Sequence, residues 1–106
     1  MTRRIRTAVL LTLAASIAAP VFAQSAGADT YKAKCQMCHG PDGTAATPMG
    51  KMMKIPSFKD PSVVKESDAA LIATTKDGKG KMPAYNGKLT DAQIKDVVSF
   101  IRTLQK

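Results

Sequence analysis

The sequence predicts an all-α domain, three to four short helices wrapped around a flat apolar group that completes the core. Three observations lead there. The closing stretch "LTDAQIKDVVSFIRTL" has helical apolar spacing behind a capping motif, and no part of the chain alternates as strands do. The folded part is short, has no Trp and is rich in Lys, Gly and Pro, so its own core is marginal and calls for a staple. Both cysteines and the only histidine fall inside "KCQMCHG", Lys34 to Gly40.

At the N-terminus Arg3, Arg4 and Arg6 precede an apolar run from Ala8 to Ala19, and Val21-Phe22-Ala23 closes with a small-x-small pattern. This is the layout of a secretory signal peptide over 1–23, cut after Ala23. The run falls well short of the roughly 20 apolar residues that a membrane-spanning helix needs. The mature chain, 24–106, is expected to form one domain, without membrane insertion, in the periplasm. It stays basic, the whole sequence carrying 16 Lys and Arg against 8 Asp and Glu. Export argues against a nucleic-acid partner. "GKGKM" is no phosphate loop either, since that motif needs Ser or Thr after its Gly-Lys.

The helices are expected in this order. "SAGADTYKAKCQMCHG" reads as the first and carries the cysteines on its last turns. Between His39 and Ser67 the residues Pro41, Gly43, Pro48, Gly50, Pro56 and Pro61 punctuate a stretch that is mostly loop. Ser67 caps "DAALIATTK", which Gly78 ends. Thr90 and Gln93 form a capping box for the last helix, with Leu89 and Ile94 placed as a hydrophobic staple. Ile94, Val97, Val98, Ile101 and Leu104 give that helix one apolar face.

The cysteine pair admits three chemistries. A disulfide would close too short a loop to hold a fold together. A thioredoxin-type redox pair needs a strand before it and a βαβ setting, and the flanks here are helical. Structural zinc takes four ligands, and two Cys and one His leave it one short. Cys-x-x-Cys-His is instead the signature of c-type haem attachment, and it uses every residue. Cysteines at i and i+3 share one face of a helical turn, so Cys35 and Cys38 reach two vinyl groups on one edge of a porphyrin. His39 then offers an imidazole nitrogen to the iron.

The other face of the haem must be served by a distant segment. No second His exists, so the candidates are Met37, Met49, Met52, Met53 and Met82. Met37, between the cysteines, points away from the ring. Met49, Met52 and Met53 read as gap-fillers of the core, which is what most methionines are. Met82 stands in a loop directly before Pro83, and proline keeps the preceding residue extended. Position favours Met82.

With Gly27, Tyr31, Cys35-Gln36-Met37-Cys38-His39, "KMPAY" and a closing helix bearing Val97 and Phe100, the chain resembles a class I cytochrome c of the small bacterial monohaem kind. The likeness covers nearly all of 24–106. It implies that Gly27 and Tyr31 pack against Val97 and Phe100, and that Met82 is the second iron ligand. It also implies that the Pro48 carbonyl holds the other ring nitrogen of His39, although Thr47 stands where the family carries Gly. The function implied is that of a monomeric one-electron carrier, not an enzyme, moving electrons between redox proteins through a single covalent haem c. The alternative is the cytochrome c subunit of a larger dehydrogenase or oxidase. Lys51, Lys54, Lys76, Lys79, Lys81 and Lys88 flank the Met82 loop in sequence and suit partners with acidic docking faces.

Overall fold

A computed structural model describes residues 21–106, with side chains from Ser25 onward. The expected export segment, 1–23, lies outside the described residues except for Val21 to Ala23. Among the described residues six helices follow one another: α1 (Val21–Lys34), α2 (Gln36–His39), α3 (Pro48–Met52), α4 (Pro61–Val64), α5 (Asp68–Asp77) and α6 (Asp91–Leu104). They contain no strand, only isolated bridges at Lys79–Met82 and Asn86–Leu89. No helix among them is long and apolar enough to cross a membrane.

The all-α expectation holds, with two helices more than the upper count. The additions α3 and α4 lie in the stretch read as loop. Each starts from a side-chain cap followed by proline, Thr47-Pro48 and Asp60-Pro61. Thr47 Oγ1 accepts from Gly50 N at 2.9 Å, and Asp60 Oδ1 accepts from Ser62 N at 2.9 Å. Proline at the first helical position loses nothing, because its N–H would be unpaired there anyway.

The expected caps are in place. Ser67 accepts from Ala70 N at 3.1 Å, and Gly78, at φ 76°, ends α5. At α6 both bonds of the capping box form: Gln93 N donates to Thr90 Oγ1 at 3.1 Å, and Thr90 N donates to Gln93 Oε1 at 2.9 Å. The apolar face of α6 buries Ile94, Val97, Val98 and Ile101, with Leu104 half-buried.

α1 crosses α6, and Gly27 makes the crossing close. A Cβ at Gly27 would overlap the Asp96 carbonyl and come within 3.2 Å of Phe100 Cβ. One turn on, Tyr31 is buried beside Val97, with its ring 5.1 Å from that of Phe100 and 6.3 Å from that of Phe58. Tyr31, Phe58, Val97 and Ile101 form the core, with Cys35, Val63, Phe100 and Leu104 packed around them. One cysteine of the motif therefore touches the core itself.

Arg102 ties the far end of α6 to the α4–α5 connection. Its guanidinium donates to Asp68 Oδ1 at 2.8 Å, to the Val64 carbonyl at 3.2 Å and to the Glu66 carbonyl. This holds Val63 and Glu66 beside the site described below.

Because backbone, not a flexible side chain, opposes a methyl at position 27, Gly27→Ala is expected to separate α1 from α6. A loss of about 1–3 kcal/mol, the usual range for overpacking, should appear in denaturant unfolding followed by circular dichroism.

Candidate haem site

The ladder of α1 breaks at Cys35. Cys35 N still bonds to the Tyr31 carbonyl at 2.8 Å. Cys38 N and His39 N then both turn to the Cys35 carbonyl, at 3.3 and 3.0 Å, and α2 makes its single turn. Gly40, at φ 81°, ends it. Three contacts fix this turn from outside. Tyr31 Oη donates to the Gly40 carbonyl at 2.5 Å. Ala45 N donates to the His39 carbonyl at 2.7 Å, and Thr47 Oγ1 donates to the Cys38 carbonyl at 3.0 Å. Gly50 leaves room for the last of these, since a Cβ there would overlap the Ala45 carbonyl and crowd that of Cys38.

Cys35 and Cys38 are unpaired, half-buried thiols. Burial, reinforced by the neighbouring Cys38, pushes the Cys35 thiol up to about 11. Burial also lowers the His39 pKa, so its imidazole is held neutral with a lone pair to give. The His39 ring stacks on Phe58, centroids 4.5 Å apart and planes 16° from parallel.

A cavity of about 670 Å³ opens beside this turn, within the range of about 300–1,000 Å³ usual for cofactor pockets. Cys35, Cys38 and His39 line it, and so does Met82. All four residues singled out from the sequence thus face one space. Ile55, Pro56, Phe58, Val63, Leu71 and Pro83 make most of its wall apolar. A smaller pocket of about 60 Å³ shares Cys35, His39 and Met82 and reaches Val97 and Ile101 in the core.

Met82 is presented by a tight turn. Lys79 N and the Met82 carbonyl are 3.2 Å apart, and Met82 N and the Lys79 carbonyl 3.0 Å. The turn passes through Gly80 at φ 56°. Tyr85 N and Asn86 N then donate to the Thr75 and Lys76 carbonyls, at 3.1 and 3.0 Å, strapping the loop to the end of α5.

Some expectations need correcting. Met53 is no core filler, since it lines the cavity wall, and Met52 is 74% exposed as the last residue of α3. Met37, at 76% exposure, does point away. The expected bond from His39 to the Pro48 carbonyl is not made, and buried His39 Nδ1 has no hydrogen-bond partner. Pro48 is instead the exposed first residue of α3, whose carbonyl is directed along the helix. The loop is held to the motif by Thr47 in its place. Of the six lysines, Lys54, Lys79 and Lys81 border the cavity, joined by Lys34. Lys76 pairs with Asp91 at 3.4 Å, and the Lys88 ammonium lies 5.8 Å over the Tyr85 ring.

Sequence reasoning missed Phe58 against His39, Thr47 on Cys38, and the place of Tyr85 in the cavity wall. Thr47 left a signal in its cap-then-proline pair, and Tyr85 in the "KMPAY" pattern, which gave it no task of its own.

The donors fit a covalent haem. Two thiols sit on one turn, and a neutral imidazole and a thioether line the same apolar space. Among the described residues no three His, Cys, Asp or Glu side chains are grouped to hold a metal ion by themselves.

Residues 22–101 match the family described as cytochrome c oxidase, cbb3-type, subunit III. Over 106 aligned residues the chain is 34% identical to "Cytochrome c6" of Picosynechococcus sp., covering 89% of this chain and 88% of that one. The chain belongs to the class I c-type cytochromes. The solved structure of "KustC0563 c-type cytochrome" is similar to this cytochrome at a TM-score of 0.70 and 30% identity, over 76% of this chain and 98% of that one. The cytochrome also matches the "Alcohol dehydrogenase (quinone), cytochrome c subunit" of Gluconacetobacter polyoxogenes, 35% identical over 73% of this chain but only 18% of that one. Membership carries electron transfer as the function, haem c as the cofactor and other redox proteins as partners.

The Tyr31 hydroxyl joins core to site, and its loss strands a buried carbonyl. Tyr31→Phe is expected to cost about 1–3 kcal/mol of stability in denaturant unfolding of the holoprotein, with the ring packing kept.

Proposed function

We propose that this cytochrome is a one-electron carrier of the periplasm, exported behind residues 1–23 and acting as the single domain 24–106. One haem c would be joined by thioethers to Cys35 and Cys38, and His39 and Met82 would ligate its iron. The observation that carries this reading is the shared cavity. Met82, far along the chain from the motif, lines the same space of about 670 Å³ as Cys35, Cys38 and His39.

The residues have separate tasks. Bound haem supplies the reversible one-electron chemistry, and the protein supplies burial, ligation and orientation. Burial keeps the His39 imidazole neutral, and Phe58 stacked on it limits its rotation. Met82 offers a soft thioether, which favours the reduced state more than a second nitrogen base would and raises the potential. Ile55, Val63 and Leu71 in the wall would shield bound haem from water. With His39 and Met82 both committed to the iron, no position would be left for a substrate, which suits a carrier and not an enzyme.

Lys34, Lys54, Lys79 and Lys81 at the cavity edge would steer an acidic redox partner toward it. The carrier works as a monomer. The second reading, a subunit of a larger dehydrogenase or oxidase, draws on the alcohol dehydrogenase relative. Near-complete coverage of the cytochrome c6, 88% against 18%, favours the free carrier.

Carbon monoxide tests the ligand set. The reduced wild type should bind it weakly, because Met82 must first leave and apparent affinity falls with the open fraction. Met82→Ala should bind it on the order of tenfold more tightly or better, with a lower reduction potential. Tight, fast binding by the wild type would contradict the carrier.

A further inference from the structure

The break in α1 leaves a carbonyl to spare. In an unbroken helix Cys38 N would donate to the Lys34 carbonyl, but here it turns to Cys35. The Lys34 carbonyl is taken instead by Tyr85 Oη, at 3.0 Å and across 51 residues of sequence. Tyr85 stands three residues after Met82, and Lys34 immediately precedes Cys35.

The other hydrogen bonds of the Met82 loop are of two kinds. Those of Lys79, Met82, Lys88 and Leu89 close the loop on itself. Those of Tyr85 N and Asn86 N fasten it to α5. Among the described residues, the Tyr85 hydroxyl alone bonds the loop to the segment bearing the cysteines and His39. Both ends of this bond line the cavity, the Tyr85 ring is half-buried there, and the Lys88 ammonium covers the ring at 5.8 Å.

We propose that Tyr85 is a latch, a positioning residue whose hydroxyl, bonded to the Lys34 carbonyl, holds the Met82 loop shut against the cysteine-bearing turn and so keeps Met82 on the iron. The latch rests on Met82 being a ligand, as proposed above. It acts on the equilibrium between the closed loop and one that has swung out. An added ligand reaches the iron only from the open state, so its apparent affinity reports the open fraction.

The test is titration of the oxidised holoprotein with imidazole, following loss of the weak sulfur-to-iron absorption band. Tyr85→Phe keeps the ring and removes only the donor. Its imidazole affinity should rise about two- to tenfold, the range that one net hydrogen bond supplies. Thr103→Ala is the control. It removes an exposed hydroxyl that donates to the Phe100 carbonyl at 2.6 Å on α6 and should leave the affinity unchanged. An unaltered affinity in Tyr85→Phe, even with a lower melting temperature, would overturn the latch and leave the hydroxyl a purely structural role. Met82→Ala separates the two proposals. If its spectrum and imidazole affinity match the wild type, the ligand assignment itself fails and the latch with it.

Discussion

The crossing of α1 over α6 determines where the Cys35–His39 turn must lie, because Tyr31 gives its ring to that crossing and its hydroxyl to the end of the turn. The ring packs against Phe100 and Phe58 beside Val97, and the hydroxyl reaches the Gly40 carbonyl. Gly27 sets how closely the helices approach, and so how deeply Tyr31 is driven in. With that one residue shared between packing and site, the thiols cannot shift without disturbing the core. The cysteine that touches the core and also lines the cavity, Cys35, is the other side of the same coupling.

A chain this short buries too little apolar surface to be secure alone. Its own cluster centres on Tyr31, Phe58, Val97 and Ile101, and beside it lies a space of about 670 Å³ walled by Ile55, Val63, Leu71 and Pro83. A flat apolar ring joined to that turn would complete the core, so folding and cofactor attachment draw on the same free energy. The polar devices sit at the edges. Thr47 holds the turn from the α3 side, Arg102 holds the α4–α5 connection, and four lysines border the opening. Burial is thus spent on the redox centre and charge on its rim.

What could be read in advance was local. The capping box at Thr90, the Ser67 cap, the Gly78 stop and the apolar face of α6 depend on residues a turn or so apart, and each was visible in the sequence. Gly27, Tyr31, Val97 and Phe100 were visible through likeness, because a pattern of four residues stands for one helix crossing. The short helices α3 and α4 were hidden by their own prolines, which signal a loop until the preceding Thr47 or Asp60 is counted as a cap. The stacking of Phe58 on His39 and the bond from Tyr85 to Lys34 join segments distant in sequence, and nothing local marks them. The Pro48 expectation failed for a related reason. The position matched, but the proline is committed to starting a helix and the neighbouring threonine does the holding.

The proposed carrier stands or falls with a covalent link between one haem and the two sulfurs of a single turn. Acid-acetone extraction of the denatured protein, purified from cells able to attach haem, tests it most directly. Thioether-bound haem stays with the polypeptide, so the pellet should remain coloured and the solvent clear. A colourless pellet, with the pigment in the solvent or none at all, would mean that no such link exists.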